Sequence, residues 1–234
     1  LTTPPTGARI EHMYEAAMLQ GSLFGALDPA PDAAFAGAVR TWLDDASWVE
    51  LVPAWLAGAD EVFATLSDQL PWQQRRVTMY DRLLDEPRLT WWWRAADGEP
   101  EPLPVLADVR ALLSRRYGRA FDSIGFNLYR DGRDSVAWHG DRHRLHVADP
   151  VVCILSVGAA RPLRLRPRAG DRRTSCVYEL GGGDLFVMGG ACQHDWEHAV
   201  PKQRHVAGPR LSITFRHDAD PLGTGVAAAR RQPK

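Results

Sequence analysis

The change of period at about residue 121 constrains the fold more than any other feature of the chain. Beyond it, apolar residues fall in short runs at 121–129, 135–138, 151–157, 162–167, 174–180, 184–188 and 210–216, separated by turn residues. Seven strand-like runs at this spacing imply a sandwich or jelly roll. The preceding stretch reads differently. Phe35, Val39, Trp42 and Leu43 fall at helical spacing and predict a first helix over 32–46. Residues 49–52 read as a short strand ended by Pro53, and 58–70 as a second helix carrying Val62, Leu66 and Leu70 on one stripe. Pro104 opens a third helix, with Leu106, Val109, Leu112, Leu113 and Tyr117 on or near one face, and Gly118 stops it. The expected class is mainly β with flanking helices, α+β.

At 234 residues the chain suits one sizeable domain, and its 45% hydrophobic and 24% charged residues are ordinary for a globular protein. No apolar stretch approaches the length of a membrane span, and no basic-then-apolar leader opens the sequence, so a cytoplasmic monomer with no membrane association is expected. Cys153, Cys176 and Cys192 are odd in number and lack a C-x-x-C pair, which argues against a disulfide framework or a zinc knuckle. The net charge of -1 does not announce a nucleic-acid binder, although local basic stripes rather than the total neutralise phosphates. Residues 1–17 join no periodic pattern and read as an extension. The proline-rich stretch 97–104 reads as a stiff crossing between the two halves, and 218–234 as a C-terminal tail.

Three features carry chemistry. His139 and Asp141, two apart, share one face of a strand end and make a natural pair of adjacent metal ligands. With a third, distal histidine they would complete the two-imidazole, one-carboxylate face that a mononuclear iron(II) centre uses, which leaves the opposite positions open. His194, His198 and His205 compete for that third place. Arg210 and Arg216, six apart on one strand, face the same way as Ser212 and Thr214, while Leu211, Ile213 and Phe215 face apolar packing. Asn127 and Tyr129 likewise share one face. A rival run, His139, His143 and His146, could suggest zinc, but the turn-like Arg142-His143-Arg144 surroundings offer no helix to align the three.

These features stand in a fixed order with Met79-Tyr80-Asp81, Glu86-Pro87-Arg88-Leu89, Asn127-Leu-Tyr129-Arg-Asp-Gly132, Trp138-His-Gly-Asp141, Gly183-Asp-Leu-Phe-Val-Met188 and Trp196-Glu-His-Ala-Val-Pro201. Over roughly residues 50 to 217 the ordered set resembles the AlkB family of iron(II)- and 2-oxoglutarate-dependent dioxygenases, which oxidise alkyl groups off nucleic-acid bases. The resemblance implies a double-stranded β-helix core over 104–217 with residues 18–103 as a lid and substrate-recognition region. It selects His198, with His139 and Asp141, as the catalytic iron ligands. It implies that Asn127 and Tyr129 hydrogen-bond 2-oxoglutarate, that Arg210 pairs with its distal carboxylate, and that Arg216 lies near its iron-bound carboxylate. Ser212 stands where the family often has Asn. Dioxygen is the other co-substrate.

The implied partner is alkylated DNA, or RNA, and the implied reaction is demethylation of 1-methyladenine or 3-methylcytosine. Arg88 falls on the substrate side of the resemblance, and Tyr80 aligns with a position that wedges into the gap left by a flipped base. Trp91 and Trp93, two apart, can present one aromatic face to that base, with Trp92 read as core. Arg161, Arg164, Arg166, Arg168, Arg172 and Arg173 crowd a hairpin interrupted only by Asp171, which reads as a phosphate-tracking surface with Arg164 and Arg166 at its centre. His143 stands where many members place an acid that favours a cationic base, so substrate preference is less constrained than co-substrate. The alternatives are an oxygenase of the same fold acting on a small molecule or protein, a non-catalytic nucleic-acid binder, and a zinc hydrolase.

Overall fold

Alternation along the strands sets the layers of this molecule. The computed structural model describes residues 28–79, 82–140, 147, 149–171, 174–204 and 208–217. In chain order the described strands begin with β1 (Ala30–Pro31), β2 (Val39–Trp42), β3 (Ser47–Val52), β4 (Leu56–Ala57), β5 (Arg76–Met79), β6 (Arg82–Asp85) and β7 (Leu89–Arg94). They continue with β8 (Ser123–Tyr129), β9 (Val136–His139), β10 (Val152–Gly158), β11 (Arg161–Pro167) and β12 (Cys176–Leu180). The last are β13 (Asp184–Gly190), β14 (Trp196–Val200) and β15 (Arg210–Arg216). The helices are α1 (Ala59–Gln69), α2 (Pro104–Tyr117) and the short α3 (Cys192–Asp195).

Two sheets face each other. The larger runs β2-β3-β13-β10-β15-β8-β7 and the smaller β12-β11-β14-β9, with antiparallel neighbours throughout. Two small hairpin-like sheets, β1-β4 and β5-β6, stand apart. Odd-numbered apolar residues of β8, β10, β13 and β15 would all fall on one side only if the strands began in phase; instead register decides. Ile124, Phe126 and Leu128 of β8 pack with Cys153, Leu155 and Val157, Leu185 and Val187, and Leu211, Ile213 and Phe215 against α1 and α2. The alternate residues, Tyr129, Val152, Ile154, Phe186 and Met188, face Leu163, Leu165 and Trp196 of the smaller sheet. Leu66, Leu106, Val109 and Leu113 anchor the helices with no exposed surface. Each such side chain contributes about 1.5–3 kcal/mol by leaving water.

The jelly-roll class and the second and third helices agree with the sequence reading. The first helix does not form. Residues 32–46 turn back on themselves instead, and β2 pairs with β3. Two aspartates cause this by bonding the backbone locally, an alternative to helix that short acidic side chains favour. Asp32 accepts from the amides of Ala34 (2.9 Å) and Ala36 (2.6 Å), and Asp44 from those of Ala46 (2.9 Å) and Ser47 (2.7 Å). Phe35 is buried against Trp55, while Val39 and Trp42 are 61% and 60% exposed, so the helical spacing never described one face. Nor is the stretch before residue 104 a separate layer, because β2, β3 and β7 are strands of the larger sheet. The proposed tails, 1–17 and 218–234, lie outside the described residues.

Candidate active site

A cavity of about 210 Å³ opens between the inner faces of the two sheets. The larger sheet contributes Asn127 and Tyr129 from β8 and Arg210, Ser212, Thr214 and Arg216 from β15, all on the face opposite the helices. The smaller sheet contributes His139 from β9 and His198 from β14. Arg88 and Trp92 close one side, and Val136, Val152, Ile154, Leu163 and Val200 form the apolar remainder. Of the predicted residues, Tyr80, Asp141, His143, His146 and His205 lie outside the described residues, as do Arg172 and Arg173.

His139 and His198 are register partners on adjacent strands, which brings their ring centroids to 4.2 Å with planes inclined at 52°. The Nδ1 of His139 lies 2.9 Å from the carbonyl of Ala137. A carbonyl only accepts, so Nδ1 is the donor in this contact and Nε2 is the nitrogen the neutral ring would offer a metal. Two juxtaposed imidazoles, one of them oriented in this way, fit iron(II), and the sequence supplies a carboxylate two residues beyond His139. The Arg168 guanidinium lies across Gly140 and donates to the Gln193 carbonyl at 3.4 Å, so a Cβ at Gly140 would push that side chain aside. His194 points elsewhere, with Nε2 3.0 Å from the Val147 carbonyl.

The other end of the cavity is cationic. Arg210 is 1% exposed and its Nε donates to Ser156 Oγ at 2.8 Å, an interaction across the β10–β15 pair. Among the described residues no carboxylate forms an ion pair with it. Burial is the main force on this guanidinium and pulls its pKa down to about 10, so it stays charged at neutral pH at a cost that a bound anion would offset. Tyr129 lies between two cations, with the Arg210 and Arg161 guanidinium carbons each 5.6 Å from its ring. Burial pushes the phenol pKa up, against the pull of Arg210, Arg88 and Arg161, and leaves a neutral hydroxyl able to donate to a carboxylate. Arg88 donates to Asn127 Oδ1 at 3.1 Å and pairs with Glu86 at 3.3 Å. Arg216 lies under Trp92, its guanidinium carbon 5.1 Å from the ring. Gly125 makes room for both, since a Cβ there would come within 2.8 Å of Arg216 Nη1 and 3.0 Å of the indole.

The tryptophans are reversed relative to the sequence reading. Trp91 and Trp93 share a face with Leu89 and turn toward the helices: Trp91 packs at 5.3 Å on Phe126, and buried Trp93 donates from Nε1 to the carbonyls of Glu99 and Pro100. Trp92, taken for core, is 37% exposed and lines the cavity. The arginine hairpin is also largely internal. Arg161 is fully buried and donates to the carbonyls of Asp131, Asp134 and Pro201, because it shares the inward parity of Leu163 and Leu165. Arg166 is engaged by Glu197, and Arg168 crosses Gly140. Of the six arginines, Arg164 alone among the described residues is exposed and without an ion pair. Thr214 lines the cavity on the face the sequence assigned to it, whereas Ser156 is a partner the sequence reading does not include, although a lone serine in the apolar run Val152–Gly158 is itself a signal.

The chain belongs to the 2OG-Fe(II) oxygenase superfamily, whose family model matches residues 56–216. That membership implies Fe(II), 2-oxoglutarate and dioxygen. Among curated proteins it is similar to the alpha-ketoglutarate-dependent dioxygenase alkB homolog 3 of Bos taurus, 36% identical over 177 residues that cover 69% of this chain and 62% of that protein. The Homo sapiens homolog 3 is 33% identical over 174 residues, with 68% and 61% covered. The DNA oxidative demethylase ALKBH2 of Homo sapiens is 28% identical over 179 residues, with 68% and 69% covered. The chain thus spans about three-fifths of the length of the homolog 3 proteins. The fold is shared with the solved structure of OsALKBH1, at a TM-score of 0.51 and 18% identity over 76% of this chain and all of that one. Among the described residues no helix is long and apolar enough to cross a membrane.

Proposed function

We propose that this protein is an Fe(II)- and 2-oxoglutarate-dependent dioxygenase that oxidatively demethylates N-alkylated bases, of the 1-methyladenine and 3-methylcytosine type, in DNA or RNA. The observation that carries the reading is the buried Arg210, a cation with no acidic side chain paired to it among the described residues, across one cavity from the two juxtaposed imidazoles. A dicarboxylate suits that separation of roles. Its distal carboxylate would meet the Arg210 fork and the Tyr129 hydroxyl, and its other end would face the iron that His139, His198 and, by sequence, Asp141 would hold. When bound, iron with 2-oxoglutarate would let dioxygen supply the oxidation: one oxygen atom goes to 2-oxoglutarate, which leaves as succinate and carbon dioxide, and the other to the N-methyl group, whose hydroxymethyl product leaves as formaldehyde.

The chain's own residues do the placing. Asn127 and Arg88 brace each other on the wall, Ser212 and Thr214 lie within 3.5 Å of each other along β15, and Arg216 lines the same cavity beneath Trp92. Trp92 offers the flat surface on which an extruded base can stack, and the similarity to the DNA oxidative demethylase ALKBH2 favours nucleic acid over a small molecule. The test is mass spectrometry of methylated DNA and RNA oligonucleotides after incubation with Fe(II), 2-oxoglutarate and ascorbate. Loss of the methyl group with matching succinate and formaldehyde is expected. Succinate formed at the same rate without any nucleic acid would turn the reading toward a small-molecule or protein substrate.

A further inference from the structure

We propose that Arg166 is a positioning residue for the metal-binding pair: from the outer face of the smaller sheet it ties the strand that carries His139 to the strand that carries His198. The proposal rests on the reading of those imidazoles as metal ligands. The need for such a tie comes from the topology. β14 is paired with β11 through four consecutive positions, but among the described residues β9 is an edge strand joined to β14 only at His198–His139 and Val200–Val136, with an irregularity between them. An edge strand with a broken ladder is where a sheet yields first, whereas a metal site has to be held to within about 0.5 Å. His139 therefore sits on the softer of the two supports.

Alternation turns the residues preceding both histidines to the outer face. Trp138 precedes His139 and Glu197 precedes His198. Arg166, the register partner of Glu197, donates to its Oε2 from Nε at 3.0 Å and from Nη2 at 2.8 Å. Its guanidinium carbon also lies 4.2 Å from the centre of the Trp138 ring. One planar cation thus spans β11, β14 and β9 directly behind the two imidazoles. The Arg166 and Glu197 side chains are only 21% and 16% exposed, which shields the pair from salt. Only arginine combines a fork for the carboxylate with a flat face for the indole, so lysine cannot replace it in full. Arg166 does not line the cavity, so any effect on the metal has to travel through the strands.

The experiment titrates the full chain with Mn(II), followed by electron paramagnetic resonance, for wild type, Arg166→Met, Arg166→Lys, Glu197→Gln and His198→Ala, with a thermal melt of each. Arg166→Met is expected to weaken Mn(II) binding by about 10- to 100-fold, the range for lost outer contacts of metal ligands, and to alter the Mn(II) line shape. Arg166→Lys should fall between it and wild type. A merely structural role would lower the melting temperature and leave the affinity of the folded protein alone. Mn(II) affinity in Arg166→Met equal to wild type overturns the proposal. Should Arg166→Met fail to fold, Glu197→Gln reads the same coupling, and unchanged affinity there overturns it equally. A wild type that binds no Mn(II) removes the ligand reading and the clamp together. Binding by wild type and Arg166→Met alike, with none by His198→Ala, removes the clamp alone.

Discussion

The two ends of the cavity are held by different means. Arg210 and its neighbours sit on β15, flanked through six register pairs by β10 and through seven by β8, in the middle of the larger sheet. Among the described residues His139 sits on a sheet edge held by two pairs. The cationic end is therefore fixed by the fold itself and carries unfavourable electrostatics, a charge buried without an acidic ion-pair partner among the described residues. The imidazole end depends on side chains that cross from strand to strand. A site built this way holds its anion pocket ready and leaves the metal face the more easily deformed of the two.

The largest effect that can break this contrast is loss of a ligand. His198→Ala and His139→Ala should fold, bind no Mn(II) and turn over no 2-oxoglutarate, because a three-ligand face with one donor gone cannot hold its geometry. Full turnover in His198→Ala together with loss in His194→Ala would show that the wrong histidine has been chosen. Next in size is Arg210→Met. Breaking a buried charge pair costs about 3–5 kcal/mol, or roughly two to four orders of magnitude in the Michaelis constant for 2-oxoglutarate. Mn(II) binding should survive, and an unchanged Michaelis constant would remove Arg210 from the anion site. The same variant tests the stored cost. A guanidinium whose pKa falls on folding destabilises the protein wherever it is charged, so the penalty is fully present at neutral pH and fades only as pH rises above about 10. Without 2-oxoglutarate, Arg210→Met should melt at or above the wild-type temperature, and the rise in melting temperature that 2-oxoglutarate gives wild type should vanish.

What was legible in the sequence follows the same division. The alternation of β15 is local, so Arg210, Ser212, Thr214 and Arg216 could be read onto one face and Leu211, Ile213 and Phe215 onto the other, as the structure has them. Facing partners are not local. Three consecutive tryptophans could be divided only by knowing which side of β7 meets the helices, although Trp92 shares its parity with Thr90 and Arg94, and Trp91 with Leu89. Arg161 likewise faces inward because it shares the parity of Leu163 and Leu165, not that of Arg164 and Arg166. The turn at 44–47 was missed because an aspartate that bonds its own backbone leaves no mark on apolar spacing. The clamp behind the histidines joins three strands remote in sequence and had no local signal at all.

A smaller effect separates the faces of β7. If the extruded base stacks on Trp92, Trp92→Ala should weaken binding of a methylated oligonucleotide by about 1–3 kcal/mol, roughly 5- to 150-fold, with no change in its salt dependence. Trp93→Ala removes a core side chain instead and should cost about 3–5 kcal/mol of stability. Chemical denaturation and binding titrations of the two variants distinguish the outcomes. Reduced affinity in a fully folded Trp93→Ala, with none in Trp92→Ala, would restore the original assignment.

The smallest effect concerns the outer face of the smaller sheet, where exposed Arg164 and engaged Arg166 stand two residues apart on β11. A phosphate contact releases condensed counterions and contributes about 0.9 to the slope of log affinity against log salt on duplex DNA. Arg164 is available for one such contact. Arg166 already gives its fork to Glu197 and its flat face to Trp138. Arg164→Ser should therefore flatten the slope by at most about 0.9, and Arg166→Ser should leave it where it was. Binding measured between low and moderate salt resolves the difference. A slope that falls by about one unit for each substitution would mean that Arg166 abandons Glu197 for a phosphate when nucleic acid binds, and that the metal-bearing strands loosen as the substrate arrives.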